Sequence, residues 1–414
     1  MENIGNVLLN LRFKARFYPM ANKNSNLGAA KTAKNDEFYT QYEDIEREMN
    51  AYLEYDENVF RGKTVLLPCD DPEWSNFTKY FAQNFERFGL KKLISTSYAP
   101  ESKKIKAWEP TLFETEAPQY DEDKSKTHGK IFILDSDTNG SGRIDVNDLR
   151  WEYLEGDGDF RSEEVTKLRD EADIVITNPP FSLFREFLAW LASSGKKFAI
   201  IGNQNAITYK EVFPLIKDNS VWLGATGFAN DMVFRVPAGT EVRPEDKAKA
   251  ARLGYVGDYT RLGNSCWFTN VEHGRRHKPL PLMTIADNIK YSKHKEIKGI
   301  GYLHYDNYDA IEVPFTDAIP SDSDGEMGVP ITFLDKYCPE QFEIVGISKT
   351  WSGFASKIYP EQSQVDKNGK TSKVTKLNDG PVIKLDGPLL GATYYTVGNE
   401  YFTQLYARIF IKKR

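Results

Sequence analysis

The sequence has few residues that bind metals or form cross-links. Among its 414 residues are five histidines and three cysteines, namely Cys69, Cys266 and Cys338. Three cysteines so far apart do not make a disulfide framework, and none has a cysteine or histidine partner at zinc-finger spacing. His273 and His277 have helical i, i+4 spacing, but a glycine and a proline interrupt that helix. We therefore expect a reducing, cytoplasmic environment and no metal site.

Long hydrophobic runs and targeting signals are also absent. No stretch reaches the roughly 20 apolar residues that a membrane-spanning helix needs. The N-terminus lacks the apolar core and cleavage site of a signal peptide. The chain is therefore expected to be soluble, with no membrane partner. Its length exceeds what a single hydrophobic core usually supports, so we expect two domains.

Positive charge is scarce overall but unevenly distributed. The net charge is −6, yet residues 251–414 carry 21 Lys and Arg against 19 Asp and Glu, whereas residues 1–250 carry 33 against 41. Phosphate binding needs local clusters of basic side chains rather than a high total charge. Clusters in the second part are DNA-binding candidates, although a solvated surface is the alternative. The candidates are Arg275, Arg276, Lys278, Lys293 and Lys295.

Strand and helix patterns alternate from about residue 35 to residue 280. Such alternation predicts an α/β fold with a Rossmann-like, mostly parallel sheet covered by helices on both faces. After residue 280, short β-like runs alternate with turn residues, which predicts a β-rich C-terminal domain. Residues 1–34 have no clear period and form an N-terminal leader. The predicted strands are 64–67, 93–97, 131–134, 151–154, 174–177 and 198–202, and the predicted helices are 41–54, 76–88, 182–192 and about 209–217.

The segment Ile174–Phe181, with the sequence IVITNPPF, is the most informative part of the chain. Four apolar or β-branched residues predict a short buried strand. Pro179 and Pro180 have no backbone N–H and keep Asn178 out of the helical region, so the chain leaves the sheet in a stiff elbow. Ligands of open α/β sheets bind at this end of the strands. The elbow presents an amide, a carbonyl and an aromatic ring together.

These groups suit the methylation of a planar amine or amide nitrogen. The lone pair of such a nitrogen is delocalised, so it is a poor nucleophile. The Asn178 side-chain oxygen and the Pro179 carbonyl can each accept one N–H, which localises the lone pair and directs it at a methyl donor. Phe181 can stack on the face of the acceptor ring. A strand followed by a Pro-Pro turn, with Asn178 capping the next helix, is the purely structural alternative.

Several strings of this sequence resemble one known family, the EcoRI-type adenine-specific DNA methyltransferases. The resemblance runs from about residue 35 to about residue 347, with a weaker match near the C-terminus. It implies transfer of a methyl group from S-adenosylmethionine to adenine N6 in double-stranded DNA, with the base flipped out. The matching strings are Asn35–Thr40, Cys69–Pro72, Gly156–Ser162, Asn178–Phe181, Trp267–Asn270, Tyr305–Ala310 and Gly328–Lys336.

The resemblance also implies a cofactor pocket. The first strand lacks the glycine-rich turn that binds a pyrophosphate, but S-adenosylmethionine carries a sulfonium and an ammonium, which carboxylates suit better. The second strand lacks the acidic residue that commonly binds a ribose. Helix capping and a Gly-Asp turn are the structural alternatives for these residues. The cofactor candidates are Tyr39, Thr40, Asp70, Asp71, Asn76, Asp157 and Asp159.

Residues 137–148 match the spacing of a calcium-binding loop, with oxygen-bearing residues at positions 1, 3, 5, 9 and 12 and glycine at position 6. Position 12 is Asp148 rather than the longer glutamate. The preceding residues predict a strand instead of the helix that an EF-hand requires. We therefore interpret this segment as a turn between two strands.

Together these observations predict a methyltransferase catalytic domain at residues 35–280 and a target-recognition domain at residues 281–414. The predicted function is site-specific DNA adenine N6-methylation within, or derived from, a restriction-modification system. We expect a monomer that acts separately from any cognate restriction endonuclease. The alternatives are methylation of RNA or of a protein glutamine, and a non-catalytic DNA-binding relative.

Overall fold

The structure is a computed structural model that describes residues 38–70, 75–100, 112–228, 231–236 and 240–414. The predicted leader and Asp71 lie outside these described residues. The chain forms two compact units. The first unit comprises the described parts of residues 24–206 and 220–274, and the second comprises residues 207–219 and 275–414.

The first unit contains one large sheet, one small sheet and the helices that cover them. Its strands are β1 (Tyr39–Thr40), β2 (Thr64–Leu67), β3 (Lys92–Ser97), β4 (Lys130–Leu134), β5 (Arg150–Tyr153), β6 (Ile174–Thr177), β7 (Lys197–Asn203), β8 (Trp222–Leu223), β9 (Val233–Arg235), β10 (Tyr259–Arg261) and β11 (Ser265–Thr269). Its helices are α1 (Tyr42–Tyr55), α2 (Asn76–Gln83), α3 (Phe85–Phe88), α4 (Leu112–Thr115), α5 (Glu122–Thr127), α6 (Glu163–Glu171), α7 (Phe184–Ala192) and α9 (Pro244–Arg252).

The second unit contains two five-stranded sheets and shorter helices. Its helices are α8 (Phe213–Lys217) and α10 (Ile285–Tyr291). Its strands are β12 (Leu303–His304), β13 (Ala310–Glu312), β14 (Glu326–Pro330), β15 (Phe342–Ile347), β16 (Gln362–Val365), β17 (Thr371–Val374), β18 (Val382–Leu385), β19 (Tyr394–Val397), β20 (Glu400–Gln404) and β21 (Arg408–Lys413). Short 3-10 helices in the chain are Val146–Asp148, Phe181–Leu183, Gln204–Thr208, Gly274–His277, Thr316–Ala318, Ile331–Lys336, Thr350–Ser352 and Lys376–Asp379.

The large sheet has eight strands in the order β5-β4-β3-β2-β6-β7-β11-β8. The four central strands, β3, β2, β6 and β7, are parallel. Antiparallel strands continue the sheet on both sides, so it is mixed and is parallel only at its centre. All residues of β2 and β6 are buried, as expected for parallel strands covered on both faces. The α/β prediction is therefore confirmed.

Helix α1 has the pattern of an amphipathic helix that covers a core. Its buried residues, Ile45, Glu48, Met49 and Tyr52, follow the i, i+3, i+4, i+7 spacing of one helical face. The segment 76–88, which was predicted as one helix, divides into α2 and α3 at Asn84. Its side chain and its backbone N–H both donate to the carbonyl of Tyr80.

In residues 137–148, whose spacing resembles that of a calcium-binding loop, the acidic side chains bind main-chain N–H groups. The carboxylate of Asp137 accepts backbone N–H groups from residues 140–142. The carboxylate of Asp148 accepts those of Thr138, Asn139 and Asp145. These hydrogen bonds, first of all the one from Asp145, lower the pKa of Asp148. Both carboxylates therefore hold a turn between β4 and β5 through main-chain hydrogen bonds.

The second unit contains two five-stranded sheets that share no strand, named here the carrier sheet and the inserted sheet. The carrier sheet has the order β12-β13-β14-β21-β15, and the inserted sheet has the order β17-β16-β19-β20-β18. Helix α8, predicted from sequence as part of the α/β domain, belongs to the second unit, where it packs on β15. In the described part of the chain, no helix is long and apolar enough to cross a membrane.

A buried ion pair fixes the C-terminal strand in the carrier sheet. Arg408 on β21 contacts both carboxylate oxygens of Glu312 on β13, at 2.8 Å and 3.0 Å. Both side chains are about 95 % buried. Tyr305 donates a further hydrogen bond to the same carboxylate. Because these charges are buried, each depends on the other for its electrostatic compensation.

Arg408→Ala should destabilise the protein by about 3–5 kcal/mol, because it leaves the Glu312 carboxylate buried without its cation. Urea unfolding of the variant measures this loss. The double variant Glu312→Gln/Arg408→Met should recover much of the stability, since it removes both charges together. Lys384→Ala serves as the control, because it breaks an exposed ion pair with Glu400 and should change the unfolding midpoint little. A loss as small as that of the control would contradict the prediction.

Candidate active site

The predicted site residues of the first unit gather at one edge of the large sheet. Strands β2, β3, β6 and β7 are parallel, so their carboxyl ends lie on the same edge. Asp70 follows β2, Asn178 follows β6, and the segment containing Asp157 bonds to Ala99 just beyond β3. This edge is where open α/β sheets bind ligands.

The Asn178 side chain is held so that its oxygen remains available. Its Nδ2 donates to the main-chain carbonyl of Phe38 at 2.5 Å. Because a carbonyl can only accept, the atom that faces it must be the amide nitrogen. Oδ1 of Asn178 is buried and has no hydrogen-bond partner among the described residues. A buried acceptor without a partner is costly, which is typical of an atom that binds a ligand.

Three phenylalanine rings pack together at the elbow, one of them Phe181 of the elbow itself. The ring of Phe181 lies 5.5 Å from that of Phe38 and 6.2 Å from that of Phe234, measured between centroids. The rings of Phe38 and Phe234 are 6.0 Å apart. Phe181 retains 9 % exposure, whereas Phe234 is fully buried. The elbow thus combines an amide oxygen with an aromatic cluster, named here the Phe cluster (Phe38, Phe181, Phe234).

The small sheet brings the segment of Tyr39 and Thr40 to the elbow. Strand β1 pairs with β9, and Thr40 lies opposite Phe234. The Nδ2 of Asn76, at the start of α2, donates to the carbonyl of Thr40 at 2.8 Å. Oγ1 of Thr40 is buried and has no hydrogen-bond partner in the described part of the chain. Asn76 therefore positions β1, and Thr40 contributes a second unused polar atom near the site.

Asp70 connects the ends of three strands. Its carboxylate accepts hydrogen bonds from Ser75 at 2.9 Å and from Thr177, at the end of β6, at 2.7 Å. The backbone N–H of Asp70 donates to the carbonyl of Thr96 on β3 at 2.8 Å, and the hydroxyl of Ser95 donates to the carbonyl of Asp70. The residue is 94 % buried. The predicted acidic turn is therefore a buried polar junction.

The turn before Asp70 has an unusual backbone conformation. Cys69 has φ of +66°, which lies in the left-handed region that L-residues with a Cβ rarely adopt. Nucleotide-binding sheets commonly place glycine in this turn. The conformation is thus retained here, although the sequence lacks the glycine pattern.

Asp157 and Asp159 have different surroundings. Asp157 accepts the N–H of Asp159 with its carboxylate, and its carbonyl accepts the N–H of Ala99. Asp159 instead forms an ion pair with Arg161 at 2.6 Å, and Arg161 also contacts Glu186 at 2.9 Å. Burial would raise the pKa of Asp159, but the hydrogen bonds and charge of Arg161 lower it. Asp159 is already neutralised within the protein, so it fits a cofactor role less well than Asp157 does.

The candidate basic residues of the second unit also differ from one another. Arg276 is 96 % buried and donates to Asn219, so in this structure it is not accessible to a phosphate. Arg275 pairs with Asp335 at 2.6 Å, and Lys293 pairs with Asp317 at 2.7 Å. Lys278 and Lys295 are exposed and have no ion pair within the described residues. Burial and ion pairing could not be read from the clustering of charges in the sequence.

Three residues of the site were not among the candidates from the sequence, although Phe38 belongs to the matching string Asn35–Thr40. Phe38 supplies the carbonyl that orients Asn178, Thr177 bonds to Asp70, and Phe234 completes the Phe cluster. Phe38 and Thr177 adjoin predicted site residues, so their neighbourhood was a usable signal. Phe234 has no such signal, because β9 reaches the site only through its pairing with β1.

Side chains of the types that bind metals do not cluster in the described part of this sheet edge. Within the described residues, no group of three or more His, Cys, Asp and Glu side chains could hold a metal ion. The three cysteines form no disulfide. The described candidate side chains at this edge are an amide, buried hydroxyls, a carboxylate and aromatic rings.

This fold and this site define an enzyme that methylates a planar amino group. A parallel-centred sheet presents an unused amide acceptor beside an aromatic cluster, and the turn after its first strand carries a carboxylate in place of a phosphate-binding glycine loop. Comparisons with known proteins identify the particular family.

The family model described as adenine-specific methyltransferase EcoRI matches residues 26–413. The type II methyltransferase M.EcoRI of Escherichia coli is 43 % identical over 327 residues, covering 79 % of this chain and 90 % of that protein. M.MpnI of Mycoplasma pneumoniae is 33 % identical, covering 76 % and 83 %. M.MgeORF184P of Mycoplasma genitalium is 32 % identical, covering 86 % and 94 %. No solved structure matches the chain.

The chain belongs to the EcoRI family of adenine-specific methyltransferases. It is a site-specific DNA adenine methyltransferase of the kind found in type II restriction-modification systems. The resemblance identified from the sequence motifs is thereby confirmed.

From the positive φ of Cys69 we predict how substitutions at this position change the free energy of unfolding. Cys69→Val should destabilise the protein by about 1–2 kcal/mol relative to Cys69→Gly, because a β-branched residue is strained at positive φ whereas glycine is not. Chemical denaturation of both variants measures the difference. Cys266→Val, in strand β11 where β-branched residues are favoured, is the control for replacing a cysteine with valine. Equal stability of the two Cys69 variants would contradict the prediction.

Proposed function

We propose that this enzyme transfers a methyl group from S-adenosylmethionine to N6 of an adenine that is flipped out of double-stranded DNA. The observation that carries the proposal is the buried, unpartnered Oδ1 of Asn178, whose Nδ2 is held by the carbonyl of Phe38. An amide fixed in this way offers its oxygen as an acceptor to an incoming group. The adenine amino group is a donor of two N–H bonds and matches this requirement.

The proposed chemistry requires positioning rather than covalent catalysis. Asn178 Oδ1 accepts one amino N–H, and the carbonyl of Pro179 accepts the other. Both hydrogen bonds localise the nitrogen lone pair and direct it at the methyl group. The bond from N6 to the methyl carbon would form as the sulfonium S–CH3 bond of the donor breaks. The sulfur would keep the electron pair and leave as the neutral thioether S-adenosylhomocysteine, and the methylated amine would then lose one proton to water. No general base is required on the protein before the methyl group is transferred.

The Phe cluster is proposed to bind the flipped base. Removing a base from the helix costs its stacking, and aromatic side chains can replace that interaction. Phe181 is buried with 9 % of its surface exposed, and its packing against Phe38 and Phe234 fixes the ring. Pro179 and Pro180 restrict the backbone beside it, so the amide and the ring keep their relative position.

Residues at the same edge are proposed to hold the cofactor. S-adenosylmethionine supplies the methyl group and carries positive charge, which suits the acidic character of this turn. The buried, unpartnered hydroxyl of Thr40 and the carboxylate of Asp70 fit such a ligand. Tyr39, Asp71 and Asp157 are further candidates. Asn76 acts by positioning Thr40.

Exposed basic residues of the second unit are proposed to contact DNA phosphates. Lys278 and Lys295 are the best candidates, because both are exposed and without an ion pair in the described part of the chain. Arg275 and Lys293 would have to exchange their carboxylate partners for phosphates. Arg276 is better assigned to the interior of the second unit. We further propose a cytoplasmic monomer that acts separately from any cognate restriction endonuclease.

Asn178→Ala should lower kcat for methyl transfer to DNA by about 10²–10³-fold or more, since it removes an acceptor aimed at the reacting nitrogen. Cofactor affinity should remain nearly unchanged. Transfer of a labelled methyl group to duplex DNA and calorimetric titration with S-adenosylmethionine measure the two quantities.

The matched control for this experiment is Asn84→Ala. Asn84 also donates its Nδ2 to a main-chain carbonyl, that of Tyr80, but lies between α2 and α3. The control should keep full activity. Normal activity of the Asn178 variant would contradict the assignment of the elbow as the acceptor site for the target amino group. Failure of the unaltered enzyme to methylate duplex DNA would contradict the proposed function.

Asp70→Asn should weaken S-adenosylmethionine binding by about tenfold or more, because it removes the charge of a buried carboxylate at the proposed pocket. Asp159→Asn should leave the affinity unchanged, since Arg161 already neutralises that carboxylate. Calorimetric titration compares the two variants, and thermal unfolding checks that both are folded. A stronger effect at Asp159 than at Asp70 would reverse the proposed assignment.

A further inference from the structure

The inserted sheet is formed by the part of the chain that lies between two neighbouring strands of the carrier sheet. β15 and β21 pair directly, from Phe342 opposite Lys413 to Ile347 opposite Ile409. The chain between them, residues 348–407, leaves the carrier sheet and returns to it. This segment has its own hydrophobic core, formed by Tyr359, Leu377, Val382, Tyr395 and Phe402. A sheet with its own core can present a separate binding surface.

The hairpin of β16 and β17 forms one edge of the inserted sheet. Its turn is well defined, because the carboxylate of Asp366 accepts the N–H groups of Asn368 at 2.8 Å and Lys370 at 2.9 Å. Gly369 has φ of +83° at this turn. Strand β17 is the edge of the sheet, and Thr371, Ser372 and Lys373 on it are exposed. The hairpin thus combines a hydrogen-bonded turn with an exposed edge strand.

The hairpin carries a strong local positive charge. Residues 362–376 contain four lysines and one acidic residue, Asp366, whose carboxylate is engaged in the turn. Lys367, Lys370 and Lys373 are exposed and form no ion pair among the described residues. Three other lysines in the segment 348–407 are paired, Lys349 with Asp379, Lys357 with Asp306 and Lys384 with Glu400. The hairpin lysines are therefore available to an external anion.

Hydroxyl groups accompany Lys373 on one face of the sheet. Lys373 lies opposite Ser363 on β16, and Ser363 lies opposite Thr396 on β19. Directly opposite residues in antiparallel strands share a face, so an amine and two hydroxyls form a row. The core residues Tyr395 and Phe402 also lie opposite each other and occupy the other face. Lysine and hydroxyl side chains are typical phosphate contacts in protein–DNA complexes.

We propose that the β16–β17 hairpin is a phosphate-binding arm for double-stranded DNA, with Lys367, Lys370 and Lys373 as its contacts. The inference rests on the proposed function, which supplies the polyanion. Lys370 closes the turn and Lys373 lies on β17, three residues and about 10 Å further along the chain, which is close to the axial length of three base pairs. Lysines on an edge strand also oppose pairing with another protein strand, so a phosphate backbone fits this edge better than a peptide does.

The test removes the three charges together in Lys367→Ser/Lys370→Ser/Lys373→Ser. Affinity for a duplex containing the methylation site is measured between 50 and 200 mM salt. We expect the slope of log K against log salt to fall by about 2–3, since each lost phosphate contact contributes about 0.9. KM for DNA should rise, whereas kcat at saturating DNA should stay unchanged, because the arm binds backbone and not the target base.

The matched control is Lys63→Ser/Lys79→Ser/Lys91→Ser, which removes the same charge from exposed residues of the first unit. Lys63 and Lys91 precede β2 and β3, at the edge opposite the site. Equal salt slopes and affinities for the two triple variants would overturn the proposal. Replacing the hairpin lysines by arginine should restore binding, and its failure to do so would also overturn it.

Two further measurements distinguish a failure of this proposal from a folding defect of the variant and from a failure of the proposed function. The thermal unfolding midpoint of the hairpin variant should equal that of the unaltered enzyme, since its lysines form no ion pairs; a lowered midpoint would count against the arm. Asn178-dependent methylation by the unaltered enzyme is measured on the same duplex. If that methylation is normal while both triple variants bind alike, the arm alone is rejected. If it is absent, the proposed function is rejected.

Discussion

The Asp70 carboxylate is the group on which the geometry of the site depends. It is buried, accepts hydrogen bonds from Ser75 and Thr177, and follows a turn whose backbone bonds to Thr96. A buried carboxylate must be satisfied, so these partners cannot separate without a large cost. The bonds hold the carboxyl ends of β2, β3 and β6 together. Asn178 is the next residue after Thr177, so its position follows from this junction.

A second long-range bond turns this sheet edge into a site for an amino group. The Asn178 amide donates to the carbonyl of Phe38, 140 residues earlier in the chain, which leaves its oxygen as a buried acceptor. The same segment brings Phe38 against Phe181, and the pairing of β1 with β9 adds Phe234. Orientation of the amide and packing of the aromatic rings thus have one cause, which is the docking of β1.

The reliability of sequence reasoning differed between local and long-range features. The elbow at Pro179 and Pro180 was predictable because proline restricts the backbone by itself. The end of α2 at Asn84 was not, because a side chain that donates to a helical carbonyl leaves the hydrophobic pattern unchanged. The burial of Arg276 and the neutralisation of Asp159 by Arg161 also depend on tertiary packing. A cluster of charged residues has the same appearance in a sequence whether its members are paired, buried or exposed.

By itself, the sequence determined the alternating α/β pattern, the stiff elbow with its amide and aromatic residues, and the membership of a methyltransferase family. These features arise from periodicity, proline geometry and contiguous motifs, which are properties of neighbouring residues. Only the tertiary structure decided which acceptor remains unused, which carboxylate joins the strands, and which lysines stay without partners. Each of these depends on atoms that are distant in the chain, because hydrogen-bond saturation and burial are set by what the fold brings into contact.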